Sequence, residues 1–184
     1  MILLKNEGKL SKEVKALYLS AFPKEERKPF VFIEKLRREG KLIIHTAIKN
    51  DIVIGFAIML IDENYALIDY LAVNEDFRGS GIGSEILTEL KKIYRNKCLF
   101  LERETVIKNC ENPEQRNRRR NFYLNNEFSD SGVYINVYTV DMTLMTYNNK
   151  ITFQEYSDFL KKILGEKVFN KIKVQTSDFS DETI

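Results

Sequence analysis

The chain has 184 residues, 43% of them hydrophobic and 30% charged, which favours one domain with a small appendage built on one core. A formal net charge of +2 is too small to argue for nucleic acid or an anionic membrane as partner, and no run approaches 18 consecutive apolar residues. The two cysteines, Cys98 and Cys110, are too few for a disulfide framework and form no CxxC pair, so no metal site is expected and the expected compartment is the reducing cytoplasm.

The apolar run at residues 2–4 is too short for a signal peptide, and residues 2–5 read as a first strand. Ser11 is placed to cap a helix with Val14, Leu17, Tyr18 and Ala21 on one face, ended by Pro23. After a polar loop at residues 23–28, Pro29 opens a second helix at its first turn, with Phe30, Ile33 and Leu36 as its buried stripe and Gly40 as its terminator. Three strands follow, at residues 42–48, 52–61 and 66–73, joined by turns at Asn50-Asp51 and at residues 62–64. Connections this short force an antiparallel meander.

Then the period changes. Ile82, Ile86, Leu87, Leu90, Ile93 and Tyr94 fall on one helical face, and residues 98–101 form a compact apolar run. Strand, helix and strand in that order imply one right-handed crossover and one parallel pairing. Residues 113–126 read as a helix carrying Phe122, Tyr123 and the basic run Arg116, Arg118, Arg119 and Arg120. Residues 128–147 alternate enough for two final strands around Gly132. Beyond them, Thr152 and Glu155 form a capping box, and Phe153, Tyr156, Phe159, Leu160, Ile163 and Leu164 make a stripe ending at Gly165. A short helix is expected at residues 168–172, and the last dozen residues are expected to be loose.

The segment Arg78-Gly79-Ser80-Gly81-Ile82-Gly83, ahead of an amphipathic helix, carries the chemistry. Alternate glycines remove side chains where a backbone must approach something bulky. The helix that follows opens with unpaired N–H groups and a partial positive charge, suited to a pyrophosphate. A P-loop would need a lysine after its last glycine, and Ser84 stands there instead. A dinucleotide fingerprint would need GxGxxG directly after a strand, whereas the spacing here is GxGxG with residues 74–78 intervening. Glu102, at a downstream strand end, keeps that reading open at a lower rank, and a plain glycine-rich turn that merely joins strand to helix also ranks below the leading reading.

The stretch Leu71-Ala72-Val73-x-x-x-x-Arg78-Gly79-Ser80-Gly81-Ile82-Gly83 resembles the acetyl-CoA motif of the GNAT superfamily, V-x-x-x-x-[QR]-x-x-G-x-[GA]. Downstream, Phe122-Tyr123-Leu124-Asn125-Asn126-Glu127-Phe128 resembles its second motif, in which a tyrosine closes a helix and a Gly-Phe pair follows. The order of elements matches over residues 1–147. The resemblance implies an α+β fold in α/β/α layers: a mixed, mostly antiparallel sheet with a single parallel pairing at a splayed cofactor cleft. Residues 148–184 would be a helical extension packed on that domain. Two departures stand out. Glu127 replaces the glycine, so the turn after the helix is expected to differ. Arg116 and Arg119 stand where many members have asparagine and alanine, so no asparagine contact to the coenzyme is carried over.

By that resemblance, the backbone of Leu71, Ala72 and Val73 meets the pantetheine arm. Arg78, Gly79, Ser80, Gly81, Ile82, Gly83 and Ser84 meet the pyrophosphate of acetyl-CoA. A primary amine then attacks the thioester directly. It reacts only as the neutral species, so a carboxylate must take its proton. Asp69 and Glu102 rank equally for that role, ahead of Glu104; Asp69, mid-strand among apolar residues, needs a polar cleft or a partner, and Glu102 and Glu104 have the alternative of pairing with Arg103, Arg116 or Arg119. A backbone N–H near Ala72 is the expected oxyanion donor. Tyr123 matches the family's general acid, with a core aromatic as the plainer reading. His45, the only histidine, lies in a strand between Ile44 and Thr46 and reads as structural. Two further readings stay open. One is an inert acyl-CoA-binding sensor or interaction module of the same fold. The other is a nucleotide-binding protein of a different kind. The resemblance leaves polyamines, amino acids, antibiotics, protein N-termini and lysines open as the acceptor amine, and allows a homodimer.

Overall fold

Ser11 accepts the Val14 N–H at 3.2 Å and starts helix α1 (Lys12–Ala21), which buries Val14 and Tyr18. The computed structural model describes residues 2–107 and 110–178. The chain divides into two compact units, Met1–Tyr94 and Arg95–Ile184.

In the first unit, strand β1 (Leu3–Glu7) precedes α1, and helix α2 (Phe30–Arg38) follows it. Residues 24–26, expected as plain loop, form a 3-10 turn. Pro29 sits one position earlier than expected, at the cap rather than in the first turn, and Phe30 is only half-buried while Ile33 and Leu36 are fully covered. Gly40, at φ +72, ends α2 with its N–H on the Arg37 carbonyl at 3.0 Å and the Lys41 N–H on the Leu36 carbonyl at 2.9 Å. This paired closure needs a left-handed residue, which glycine supplies without strain.

Strands β2 (Leu42–Lys49), β3 (Ile52–Ile61) and β4 (Tyr65–Val73) form the expected antiparallel meander, and β1 adds to β2 antiparallel. Asn50 and Asp51 both take positive φ, +49° and +60°, the mirror-image turn that matches strand twist. At the next turn Asp62 Oδ1 accepts the N–H groups of Asn64 and Tyr65, each at 2.9 Å. Helix α3 (Ile82–Ile93) then buries Ile82, Ile86, Leu87 and Leu90, with Tyr94 buried just beyond it. Ile93 departs from the expected stripe: in the last turn, at the stripe's edge, it is 48% exposed.

In the second unit, β5 (Cys98–Glu104) runs three residues beyond the expected apolar core, into Glu102, Arg103 and Glu104. It pairs antiparallel with β7 (Val140–Thr146), which pairs antiparallel with β6 (Ser129–Val137). Helix α4 (Pro113–Asn125) lies between β5 and β6 in sequence. Gly132 does not make the hairpin. It sits inside β6, at φ +79, where the register slips between Asp130 and Tyr134. The β6–β7 turn falls instead at Tyr138, which takes φ +58 without being glycine.

The capping box is present: the Thr152 hydroxyl accepts the Glu155 N–H at 3.2 Å, and Glu155 Oε2 accepts the Thr152 N–H at 2.8 Å. It opens helix α5 (Phe153–Leu164), which stops at Gly165 and is followed by helix α6 (Glu166–Ile172). A two-residue strand, β8 (Gln175–Thr176), pairs with Ile135 and Asn136 of β6, inside the stretch expected to be loose. For residues 179–184 that expectation lies outside the described residues.

Candidate functional site

On β4, Tyr70 stands opposite Ile58 and Ile68 opposite Met59, so Asp69 is the extra residue of a β-bulge. Its side chain is 10% exposed, and its two oxygens accept from Lys28 Nζ at 2.7 and 3.0 Å. The same ammonium lies 5.0 Å from the centre of the Tyr70 ring. The mid-strand carboxylate thus has the partner its burial requires. Lys28 carried no local signal, because it stands 41 residues away in a polar loop.

That loop is held by its main chain. The Lys28 N–H donates to the hydroxyls of Tyr18 (2.8 Å) and Tyr70 (3.1 Å), and the Tyr70 hydroxyl donates to the Glu26 carbonyl at 2.7 Å. Burial pushes both phenols well above their ordinary range, so they remain protonated donors.

Beyond Val73 the chain turns sharply. The Asn74 N–H donates to the Ile54 carbonyl at 2.9 Å, and Asn74 Oδ1 accepts the Asp76 N–H at 3.3 Å, closing the 3-10 turn Glu75–Phe77. Arg78 Nε donates to the Val73 carbonyl at 3.2 Å, and the Ser80 hydroxyl to the Phe77 carbonyl at 2.6 Å. Gly79 and Gly81 adopt φ +75 and +84, and no atom lies within 4 Å of where a Cβ would project from either. The first bond of α3 runs from the Glu85 N–H to the Gly81 carbonyl at 3.0 Å. The N–H groups of Gly81, Ile82, Gly83 and Ser84 therefore precede the helical ladder. Left-handed glycines, open space and unpaired amides at a positive helix end fit a diphosphate.

Gly55, not singled out from sequence, fixes the neighbouring strand. A Cβ there would lie 2.8 Å from the Ala72 carbonyl oxygen and 3.1 Å from Ile86 Cδ1. Only glycine lets β3 approach both β4 and α3 this closely.

The second unit carries the other two predicted catalytic residues. Glu102 is half-buried on β5, and its Oε1 accepts the Tyr156 hydroxyl of α5 at 2.8 Å. Glu104 is paired with Arg116 (3.0 Å) and Arg119 (3.4 Å). Arg116 also donates to the Thr105 carbonyl at 2.9 Å, so two members of the basic run tie α4 to the end of β5. Tyr123 is half-buried in the last turn of α4, its ring 5.1 Å from Phe122 and 6.0 Å from Phe128. Burial raises its phenol above the ordinary range, against a smaller pull downward from Arg119. Glu127 takes φ +67, the conformation of the glycine it replaces. The Phe128 N–H reaches the Tyr123 carbonyl at 3.1 Å, and the Glu127 N–H reaches that of Leu124 at 3.0 Å. The turn is therefore the glycine turn, formed under strain, and the expectation of a different turn is corrected.

His45 lies in the core of the first unit, its Nε2 2.7 Å from the Tyr94 hydroxyl, while Nδ1 is buried without a partner. Among the described residues, no group of three or more His, Cys, Asp or Glu is arranged to hold a metal ion, and no helix is long and apolar enough to cross a membrane.

The model of the Acetyltransferase (GNAT) family matches residues 11–124. Among curated proteins, the chain is 34% identical over 107 residues to YjbC of Bacillus subtilis (strain 168), which carries an acetyltransferase name. That match covers 58% of this chain and about half, 52%, of the relative. Among solved structures, a GNAT-family protein of Bacteroides thetaiotaomicron superposes with a TM-score of 0.66 at 24% identity, covering 82% of this chain and 89% of its own. A GNAT acetyltransferase of Elizabethkingia anophelis, solved with acetyl-CoA bound, gives 0.58 at 19% identity, covering 79% and 96%. Such distant likenesses establish the α+β GNAT fold, and the family match spans both the glycine turn and Tyr123. The chain belongs to the GNAT acetyltransferase family.

Proposed function

We propose that the chain moves the acetyl group of acetyl-CoA to a primary amine by direct attack. The glycine turn carries this reading: Gly79 and Gly81 are left-handed with open space before them, at the unpaired amides that begin α3. Gly81, Ile82, Gly83 and Ser84 would hold the pyrophosphate through their N–H groups, with Arg78, Gly79 and Ser80 alongside. The backbone of Leu71, Ala72 and Val73 would hold the pantetheine arm. The acetyl-CoA-bound relative is consistent with that assignment. The bound coenzyme supplies an acyl group activated as a thioester.

The chain's own residues then handle protons. An ammonium acceptor must lose one before it attacks, and Glu102 is the better base. Asp69 has both oxygens engaged by the Lys28 ammonium, so accepting a proton there means breaking an ion pair, whereas Glu102 Oε1 accepts from a neutral phenol. Tyr123, kept protonated by burial, supplies the proton that the leaving thiolate takes up. Residues 1–147 would form the transferase domain, and residues 148–184 its extension.

The test pairs thermal shift with turnover. Coenzyme A should raise the melting temperature. A panel of free amino acids, linear polyamines, an aminoglycoside and peptides with free N-termini or lysines should include an amine that releases thiol from acetyl-CoA. Tyr123→Phe should lower kcat by about 100-fold while coenzyme A still stabilises the protein. Stabilisation without turnover on any amine would make the chain an acyl-CoA-binding module instead.

A further inference from the structure

The stretch that matches the family ends at residue 124, yet a side chain that meets the candidate base comes from residue 156. Tyr156 is completely buried, and its hydroxyl donates to Glu102 Oε1 at 2.8 Å. A buried phenol needs a partner for its hydroxyl. Of all the side chains on β5, α5 directs this hydroxyl to Glu102.

Several restraints fix that geometry. The capping box sets the start of α5 three residues before Tyr156 reaches the core, with the Tyr156 N–H bonded to the Thr152 carbonyl at 3.0 Å. The Tyr156 ring stands edge-on to Phe100 at 6.2 Å, and Phe159, one turn on, meets Phe100 at 5.5 Å. Phe100 and Glu102 are two apart on β5 and so share a face. The helix therefore docks on Phe100 and delivers its hydroxyl to the next residue of that face. Charged neighbours along this face include Glu104, two residues further, and the guanidiniums of Arg116 and Arg119 that pair with it from α4, while β7 sets apolar Leu144 opposite Glu102.

We propose that Tyr156 is a positioning residue for the Glu102 carboxylate, so that the C-terminal extension completes the base of the transferase. This rests on Glu102 being the base. The phenolic hydrogen bond favours the ionised carboxylate, the form able to accept the acceptor's proton, and locks its rotamer.

The test titrates the Glu102 carboxyl by carbon-13 NMR in the full chain, the resonance being assigned by its loss in Glu102→Gln. In Tyr156→Phe the midpoint should move up by about one pH unit. The acid limb of kcat/KM, measured with acetyl-CoA and the fastest amine of the panel, should move with it. Replacing Tyr156 by 3-fluorotyrosine keeps the shape, strengthens the donor and should move the midpoint down, so a poorly folding Phe variant does not leave the matter open. A midpoint that stays put in both variants, whatever happens to the melting temperature, means that Tyr156 only packs. If Glu102→Gln abolishes turnover while Tyr156 variants leave titration and limb unchanged, the positioning role alone falls. If Glu102→Gln keeps full turnover, the base assignment falls and this inference with it.

Discussion

Gly81 and Glu127 face the same backbone demand and meet it differently. Gly81 reaches φ +84 at no steric cost, and open space lies where a Cβ would go. Gly81→Ala should therefore cost only the left-handed strain, about 1 kcal/mol, yet remove the stabilisation by coenzyme A, both read from melting curves with and without the coenzyme. Glu127 pays that strain already, at φ +67 in a closure otherwise complete. Glu127→Gly should raise stability by roughly 0.5–1 kcal/mol in chemical denaturation, the relief of strain outweighing the greater freedom of the unfolded chain. The glycine turn was legible because its function demands one residue type at fixed spacing. The conformation of Glu127 was not, since a helix end can impose φ > 0 on a residue that does not advertise it. Tyr138, at φ +58, misled the reading of β6 and β7 in the same way, with Gly132 drawing attention to a bulge.

At the level of elements, periodicity and short connections gave the meander, α3 and α5, because burial of one face leaves a repeating trace. Contacts between distant elements left none. Nothing near Lys28 points to Asp69, and nothing near Gly55 states that β4 and α3 converge on it. The clue to Tyr156 was chemical: a tyrosine within an apolar helical stripe needs a hydroxyl partner. The convergence at Gly55 has a measurable cost. Gly55→Ala places a Cβ against a backbone oxygen at 2.8 Å, which cannot swing aside, so β3 or β4 must shift. A loss of roughly 1–3 kcal/mol in unfolding free energy is expected, with weakened coenzyme A affinity because Ala72 belongs to the strand displaced.

The whole molecule's stability should depend on pH through its single histidine. Burial lowers the His45 pKa from 6.5 to about 4. Between those values the unfolded chain binds a proton that the folded chain does not. Stability is then greatest above about pH 6.5 and falls as the pH drops toward 4, by up to about 3 kcal/mol. Melting temperatures at pH 7.5 and 5 should show this loss for the wild type, and His45→Gln, which cannot titrate, should flatten the difference.

The hydroxyls of the two phenols under the loop before α2 bond to its main chain, to the carbonyls of Glu26 and Lys28 and the amide of Lys28. Anchorage by main chain is indifferent to side-chain identity. Positions 24, 25 and 27 can thus drift through many amino acids while the loop keeps its path, a rim that natural variation or a randomised library could rewrite without dismantling what lies beneath.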